Sequence, residues 1–210
     1  MKTTQGKKVA LVAGASGIVG QQLTQALVAD QWQVIALTHR SGSATGGTEA
    51  VAVDLRDRLQ SQQRLASLTD VTHIFYSAWL NAADWTAMVG PNLTMLQNLV
   101  QVMEDVAPLE HVSLMQGYKV YGAHLGRFKT PARESDPGVP GAEFNAAQLN
   151  WLSAHQQGKA WHWSAPRPGV VGSDRHGNSM NLALSLALYA SICRAAQLPL
   201  RFPGSPETWQ

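Results

Sequence analysis

Lys8-Val9-Ala10-Leu11-Val12-Ala13-Gly14-Ala15-Ser16-Gly17-Ile18-Val19-Gly20 is the stretch that decides the fold. After Lys8, the residues Val9 to Ala13 form a continuous apolar run, the pattern of a strand buried on both faces. Glycines at 14, 17 and 20 then let the chain turn sharply, and Ile18 opens a segment whose apolar residues Ile18, Val19, Leu23, Ala26 and Leu27 recur at helical spacing up to Asp30. A buried strand, a glycine turn and a helix in that order are the opening of a doubly wound α/β sheet.

The rest of the chain continues the alternation. Strands are expected at Gln33–Thr38, Ala50–Val53, Val71–Tyr76, His111–Met115 and Trp161–Ala165. Helices are expected over Arg58–Leu68, Asn92–Glu104, Phe144–His155 and, largely buried, Asn178–Ala196. Gln116 to Gly141 is rich in Gly, Pro and basic residues and reads as a long loop, which in a compact domain is usually functional. Strands alternating with helices predict a Rossmann-type parallel sheet with helices on both faces, in one domain spanning residues 1–210.

Composition narrows the function. The formal charge is +2, with no Lys/Arg-rich run, so neither nucleic acid nor a membrane surface is expected as a partner. Cys193 stands alone and the seven histidines are scattered, so no metal site is expected. The longest apolar stretch, Leu182 to Cys193, is too short and too interrupted to span a membrane, and no export signal is read; a soluble, cytoplasmic protein is expected.

The turn from Gly14 to Gly20 presents backbone N–H groups and the positive end of a helix, which suits the pyrophosphate of a dinucleotide. Gly14, Ser16, Gly17, Ile18 and Gly20 are its candidate contacts. The second strand ends Thr38-His39-Arg40-Ser41, with no acid to receive a ribose 2′-hydroxyl. Arg40 and Ser41 instead suit a 2′-phosphate, so NADPH is expected rather than NADH. Asp54 and Leu55 follow the third strand towards the adenine. Tyr76, Ser77 and Ala78 end the fourth strand along the cofactor's path, and Lys119, Pro168 and Gly169 complete the candidate cofactor contacts.

Several motifs bring a family into view: Leu68–Tyr76 followed by Trp79, His111–Leu114, Gly117-Tyr118-Lys119-Val120-Tyr121-Gly122, Trp163-Ser164 with Arg167-Pro168-Gly169, Ser179–Leu182, and Tyr189 to Phe202. With them the chain resembles the extended short-chain dehydrogenases of the progesterone 5β-reductase and iridoid synthase type. The resemblance implies a Rossmann domain that uses NADPH to reduce carbon–carbon double bonds conjugated to a carbonyl, with a small-molecule enone as substrate. Members are longer, so segments completing the substrate pocket are expected beyond Gln210. The resemblance also places Lys119 at the family's active-site lysine and Ala146, in Phe144-Asn145-Ala146-Ala147-Gln148, at the family's catalytic tyrosine. Restoring tyrosine at 146 is expected to give the developing enolate one donor back.

Hydride delivery to an enone builds negative charge on the carbonyl oxygen, which a phenol and an ammonium stabilise. No Tyr-x-x-x-Lys pair occurs, and no Gly-x-Ser-x-Gly elbow. Lys119 and Tyr121 are therefore the candidate catalytic residues, Tyr121 as a substitute acid; packing beneath the long loop is its other reading. Three functions remain open at this point: an enone reductase, an NADPH-binding sensor without turnover, and an epimerase-like dehydrogenase. A homodimer is left open.

Overall fold

A computed structural model of the chain describes residues 8–39, 48–139, 143–172, 181–202 and 204. The chain divides into two compact units, residues 1–169 and 170–210. The first holds six parallel strands: β1 (Val9–Ala13), β2 (Gln33–Thr38), β3 (Glu49–Ala52), β4 (His73–Tyr76), β5 (His111–Leu114) and β6 (His162–Ser164). Their order across the sheet is β3-β2-β1-β4-β5-β6, the doubly wound order with its reversal between β1 and β4. At that reversal Ala13 lies opposite both Leu37 and Tyr76.

The sequence builds this arrangement directly. Every residue of β1 is buried, as its unbroken apolar run requires. On one face of the sheet, α2 (Arg58–Leu65), α3 (Trp85–Val106) and α4 (Phe144–Gln156) supply Leu65, Leu96, Leu99, Met103 and Leu152 to the larger core. On the other, α1 (Ile18–Ala29) lays Leu27 and Leu23 against Ala10, Val12 and Val34. Glu104 ties α3 to the neighbouring elements: Trp161 Nε1 donates to it at 2.6 Å, Lys159 Nζ at 2.7 Å, and His155 Nε2 lies 2.8 Å away.

Two expectations about helices need correction. α3 begins at Trp85 rather than Asn92. Asp84 starts it by accepting from Ala87 N–H at 2.8 Å, and the helix tolerates Pro91 in its second turn. Beside that proline, Asn92 Nδ2 donates to the carbonyls of Met88 at 2.8 Å and Leu80 at 2.9 Å, so the loop after β4 is pinned to the helix where its ladder is weakened.

The second correction concerns α5 (Leu182–Ala195), in the second unit. Expected as largely buried, it buries Cys193, while Leu182, Leu186, Leu188 and Ile192 are exposed. Apolar residues all round a helix state what it can bury, and burial needs a facing surface as well. Asn181 caps this helix, accepting from Leu184 N–H at 3.2 Å. Among the described residues, no helix is long and apolar enough to cross a membrane.

Candidate functional site

The site begins where β1 ends. Gly14 has φ +79°, and a Cβ there would stand 2.7 Å from the Ser77 carbonyl oxygen and the Ala78 nitrogen. That position therefore needs glycine twice over, for its left-handed backbone and for the close approach of the strand next door. Gly17 N–H closes the turn on the Gly14 carbonyl at 3.0 Å. A Cβ on Gly20 would lie 2.2 Å from that same carbonyl oxygen, so α1 can start this close to β1 only without a side chain at 20.

α1 is also capped differently from its neighbours. α2, α3, α4 and α5 begin on Asp57, Asp84, Glu143 and Asn181, whose side chains accept from the first turn. α1 begins on Gly17, with no side-chain cap and no acidic residue in its first turn. Its first N–H groups are thus directed at the space beyond the turn, with no carboxylate to repel an anion. Gln21 Nε2 donates to Ser16 O at 2.7 Å and steadies the turn from behind. This donor set suits a pyrophosphate, so the glycine turn fits a dinucleotide.

The remaining candidate cofactor residues stand as follows. Arg40 and Ser41 lie outside the described residues. Asp54 turns its carboxylate onto Arg56, which donates from its backbone at 3.0 Å and from Nε at 2.9 Å. Those bonds hold the Asp54 carboxyl down to about 2, against a smaller opposing effect of burial. Leu55 is buried, and its carbonyl accepts from Asn98 Nδ2 at 2.8 Å. Tyr76 turns its ring into the larger core, 2% exposed, so only its backbone reaches the sheet edge. Burial pushes that phenol up, with Gln148 beside it acting the other way. The Tyr76–Gln148 contact falls short of a hydrogen bond, since Tyr76 Oη has no partner among the described residues and Gln148 Nε2 donates to Asn92 O at 2.9 Å. Ser77 Oγ donates to Ala13 O at 2.9 Å and locks β4 to β1. Pro168 and Gly169 follow β6 and lie against the turn after β5: a Cβ on Gly117 would be 3.8 Å from Pro168 O, and one on Gly169 3.8 Å from the Tyr118 ring.

That turn is a 3₁₀ helix, Tyr118–Tyr121, at the carboxyl end of β5. With three residues per turn, Tyr118 and Tyr121 share a face and Lys119 points elsewhere. Lys119 Nζ sits 4.3 Å from the ring centre of Trp85, the first residue of α3. The same indole packs against His124 at 4.5 Å, and neither ring nitrogen of His124 has a partner among the described residues. Tyr121 faces the residues that follow β6. Its Oη accepts from Arg167 Nη1 at 2.6 Å, and that nitrogen also donates to Glu134 O at 3.2 Å. Tyr118, Tyr121, Ala132, Glu134, Ala165, Pro166 and Arg167 line a pocket of about 230 Å³ there. The two candidate catalytic residues therefore belong to separate clusters, one around Trp85 and one around Arg167.

Ala146 does not open onto free space. It is 6% exposed in the first turn of α4, and the long loop lies on it: a Cβ on Gly138 would be 2.9 Å from the Ala146 Cβ. Val139 N–H bonds Val120 O at 3.1 Å, which draws the loop back onto the 3₁₀ turn. The chain's own backbone fills the place of a larger side chain at 146, which corrects the expectation that a tyrosine there would simply face a substrate. Sequence reasoning did not single out Trp85 or His124, which carry no spacing signal. It quoted Arg167 only as part of a motif.

Residues 10–210 match the model of the PRISE-like Rossmann-fold domain. Among curated proteins, (S)-8-oxocitronellyl enol synthase of Nepeta racemosa is 32% identical, with 97% of this chain and 56% of that protein covered. The 3-oxo-Delta(4,5)-steroid 5-beta-reductase of Arabidopsis thaliana is 31% identical at the same two coverages. The chain thus spans little more than half the length of these relatives. Among solved structures, the UDP-glucose 4-epimerase of Thermus thermophilus in complex with NAD superposes with a TM-score of 0.68 at 22% identity, covering 94% of this chain and 67% of that one. That likeness establishes the fold.

Proposed function

The chain belongs to the family of PRISE-like Rossmann-fold domains, and on that premise we propose that it binds NADPH and takes part in reducing an enone. Support for the cofactor comes from the uncapped, acid-free start of α1 behind the glycine turn. Gly14, Ser16, Gly17, Ile18 and Gly20 would hold the pyrophosphate, Arg40 and Ser41 the 2′-phosphate, and Asp54 and Leu55 the adenine side. Tyr76, Ser77 and Ala78, by their backbone, with Lys119, Pro168 and Gly169, would border the nicotinamide end.

The carrying observation for the reaction is Lys119, the residue at the family's lysine position, held at the carboxyl end of β5 by the Trp85 ring at 4.3 Å. A relative that matches 97% of the chain is named as a 3-oxo-Delta(4,5)-steroid reductase, and that substrate is an enone. When bound, NADPH would supply the hydride for the β-carbon, with a proton from solvent balancing the reduction to a saturated carbonyl. This chain's part is to stabilise the enolate oxygen. Tyr121 offers it a phenol that lines the pocket at the sheet edge, and Lys119, in the separate cluster around Trp85, offers a positive charge that acts over a longer range. The phenol acts as a hydrogen-bond donor and the ammonium as a fixed charge, both in place before the reaction.

A second reading, an NADPH-binding protein without turnover, is favoured by the loop that fills the space at Ala146. Incubating the purified protein with NADPH and a panel of cyclic and linear enones separates the two. Loss of NADPH absorbance with a saturated carbonyl product supports the reductase. NADPH binding with no product from any enone supports the second reading.

A further inference from the structure

The pocket beside Tyr121 carries an asymmetry in its hydrogen bonding. A guanidinium has N–H donors and no acceptor, so in the 2.6 Å contact Arg167 Nη1 must donate and Tyr121 Oη must accept. The phenol's own proton therefore points away from Arg167, and among the described residues no group accepts it. The Arg167 guanidinium carbon also lies 5.1 Å from the Tyr121 ring centre, so the side chain clamps the phenol by face and by oxygen. Arg167 is itself held through Glu134 O at 3.2 Å, while its buried Nε has no partner among the described residues.

The pocket's size says what the phenol proton meets. At about 230 Å³ it is smaller than the ~300–1,000 Å³ of sites that enclose a drug-sized ligand, so it takes one end of a substrate. An O–H donor over a cationic guanidinium selects an oxygen that is, or becomes, negative. Position 146 cannot provide that donor, because it is an alanine, packed closely against Gly138.

We propose that Arg167 is a positioning residue that commits the Tyr121 hydroxyl to donate to the substrate's carbonyl oxygen. The inference rests on the enone-reductase reading for its substrate, and on the local geometry for its donor pair. It makes the pocket between the ends of β5 and β6 the place where the carbonyl end of the substrate docks. The role of Tyr121 as a substitute acid then depends on a residue 46 positions further along the chain.

The test uses the full chain and four variants: Tyr121→Phe, Arg167→Gln, Arg167→Met and the Tyr121→Phe/Arg167→Gln double. Circular dichroism checks that each is folded, and Arg167→Met, which has no donor, is read in place of Arg167→Gln should the latter unfold. Two readouts are taken: kcat and KM for 2-cyclohexenone with NADPH, and the affinity for 4-nitrophenolate without NADPH, from the dye's absorbance. The dye mimics the enolate oxygen. Each single variant is expected to lower kcat about tenfold or more, with KM changing much less, and to weaken dye binding about tenfold. The double variant is expected to be no worse than Tyr121→Phe, because Arg167 acts through the phenol. If Arg167→Gln costs as much in the Tyr121→Phe background as in the parent, Arg167 merely pins the loop at Glu134 and the proposal is overturned. Failure of the folded parent to bind the dye, or binding indifferent to both residues, overturns it too. A parent inert towards enones, whose dye binding still shows the coupling, would remove the enone-reductase reading while supporting the donor pair.

Discussion

Single atoms decide most of what happens at the glycine turn. A methyl group at residue 20 would sit 2.2 Å from the Gly14 carbonyl oxygen, against 3.3 Å for one at residue 17. Gly20→Ala must therefore push α1 away from β1, at a cost of about 1–3 kcal/mol, and move the first N–H groups of the helix off the phosphate. A thermal melt and a calorimetric titration are expected to show lower stability together with NADPH binding weakened about tenfold or more. Gly17→Val, with more room behind it, is expected to stay folded and still lose binding, because its side chain enters the space in front of the turn. Retained binding in both would place the phosphates elsewhere. Arg40 is argued from sequence alone. With no acid at the end of β2, NADPH is expected to bind about tenfold more tightly than NADH, about 1.4 kcal/mol, and Arg40→Ala is expected to erase the difference. Equal affinities in the parent would contradict that. At residue 146, tyrosine now has a different expected outcome: overpacking against Gly138, a loss of about 1–3 kcal/mol, and no gain in enone reduction. An increase in rate with unchanged stability would mean the loop leaves that position readily.

At the scale of elements, parallel register brings together residues that are far apart in sequence. His73 lies opposite His111, and His111 opposite His162, so β4, β5 and β6 carry a row of three histidines. The His73 and His111 rings are 6.2 Å apart, and the Trp32 edge meets His73 at 4.8 Å. Burial lowers the pKa of His73, with Glu110 opposing and with His111 and Lys8 adding to the shift. Burial lowers that of His111 as well, with His162 adding. Below about pH 6.5 the unfolded chain therefore binds protons that the folded chain resists. Stability present above that pH is lost as the pH falls through the depressed folded values. The melting temperature is expected to fall between about pH 7 and pH 5, and His73→Gln to flatten the fall. A His73→Gln profile parallel to the parent's would remove this row as the cause. The same register explains why the histidines looked scattered: they are 38 and 51 residues apart in the chain, counting from His73 to His111 and from His111 to His162, and pairing alone aligns them.

For the molecule as a whole, the alternation of buried strands with helices and the glycine turn after β1 were legible because both follow from short-range rules. Unbroken apolar runs mark buried strands, and glycine is needed where φ is positive or backbones nearly touch. Boundaries were less legible where a side chain overrides propensity, as Asp84 and Asn92 do in carrying α3 through Pro91. The burial of α5 was misread because composition cannot supply a facing surface. In the site, the sequence named Lys119 and Tyr121 together, but the 3₁₀ turn sends them to different neighbours, Trp85 and Arg167. No spacing rule connects residues 119 and 85, or 121 and 167, since each pair meets only through the sheet's crossovers. The proposed function is delivery of a hydride from NADPH to the β-carbon of an enone. Its most direct test is to supply NADPH deuterated at the transferring position of the nicotinamide, together with an enone, and to locate the label by NMR. Deuterium at the β-carbon of a saturated carbonyl product is the result this account predicts. Deuterium on the carbonyl carbon of an alcohol, or no transfer from NADPH that is shown to be bound, would contradict it.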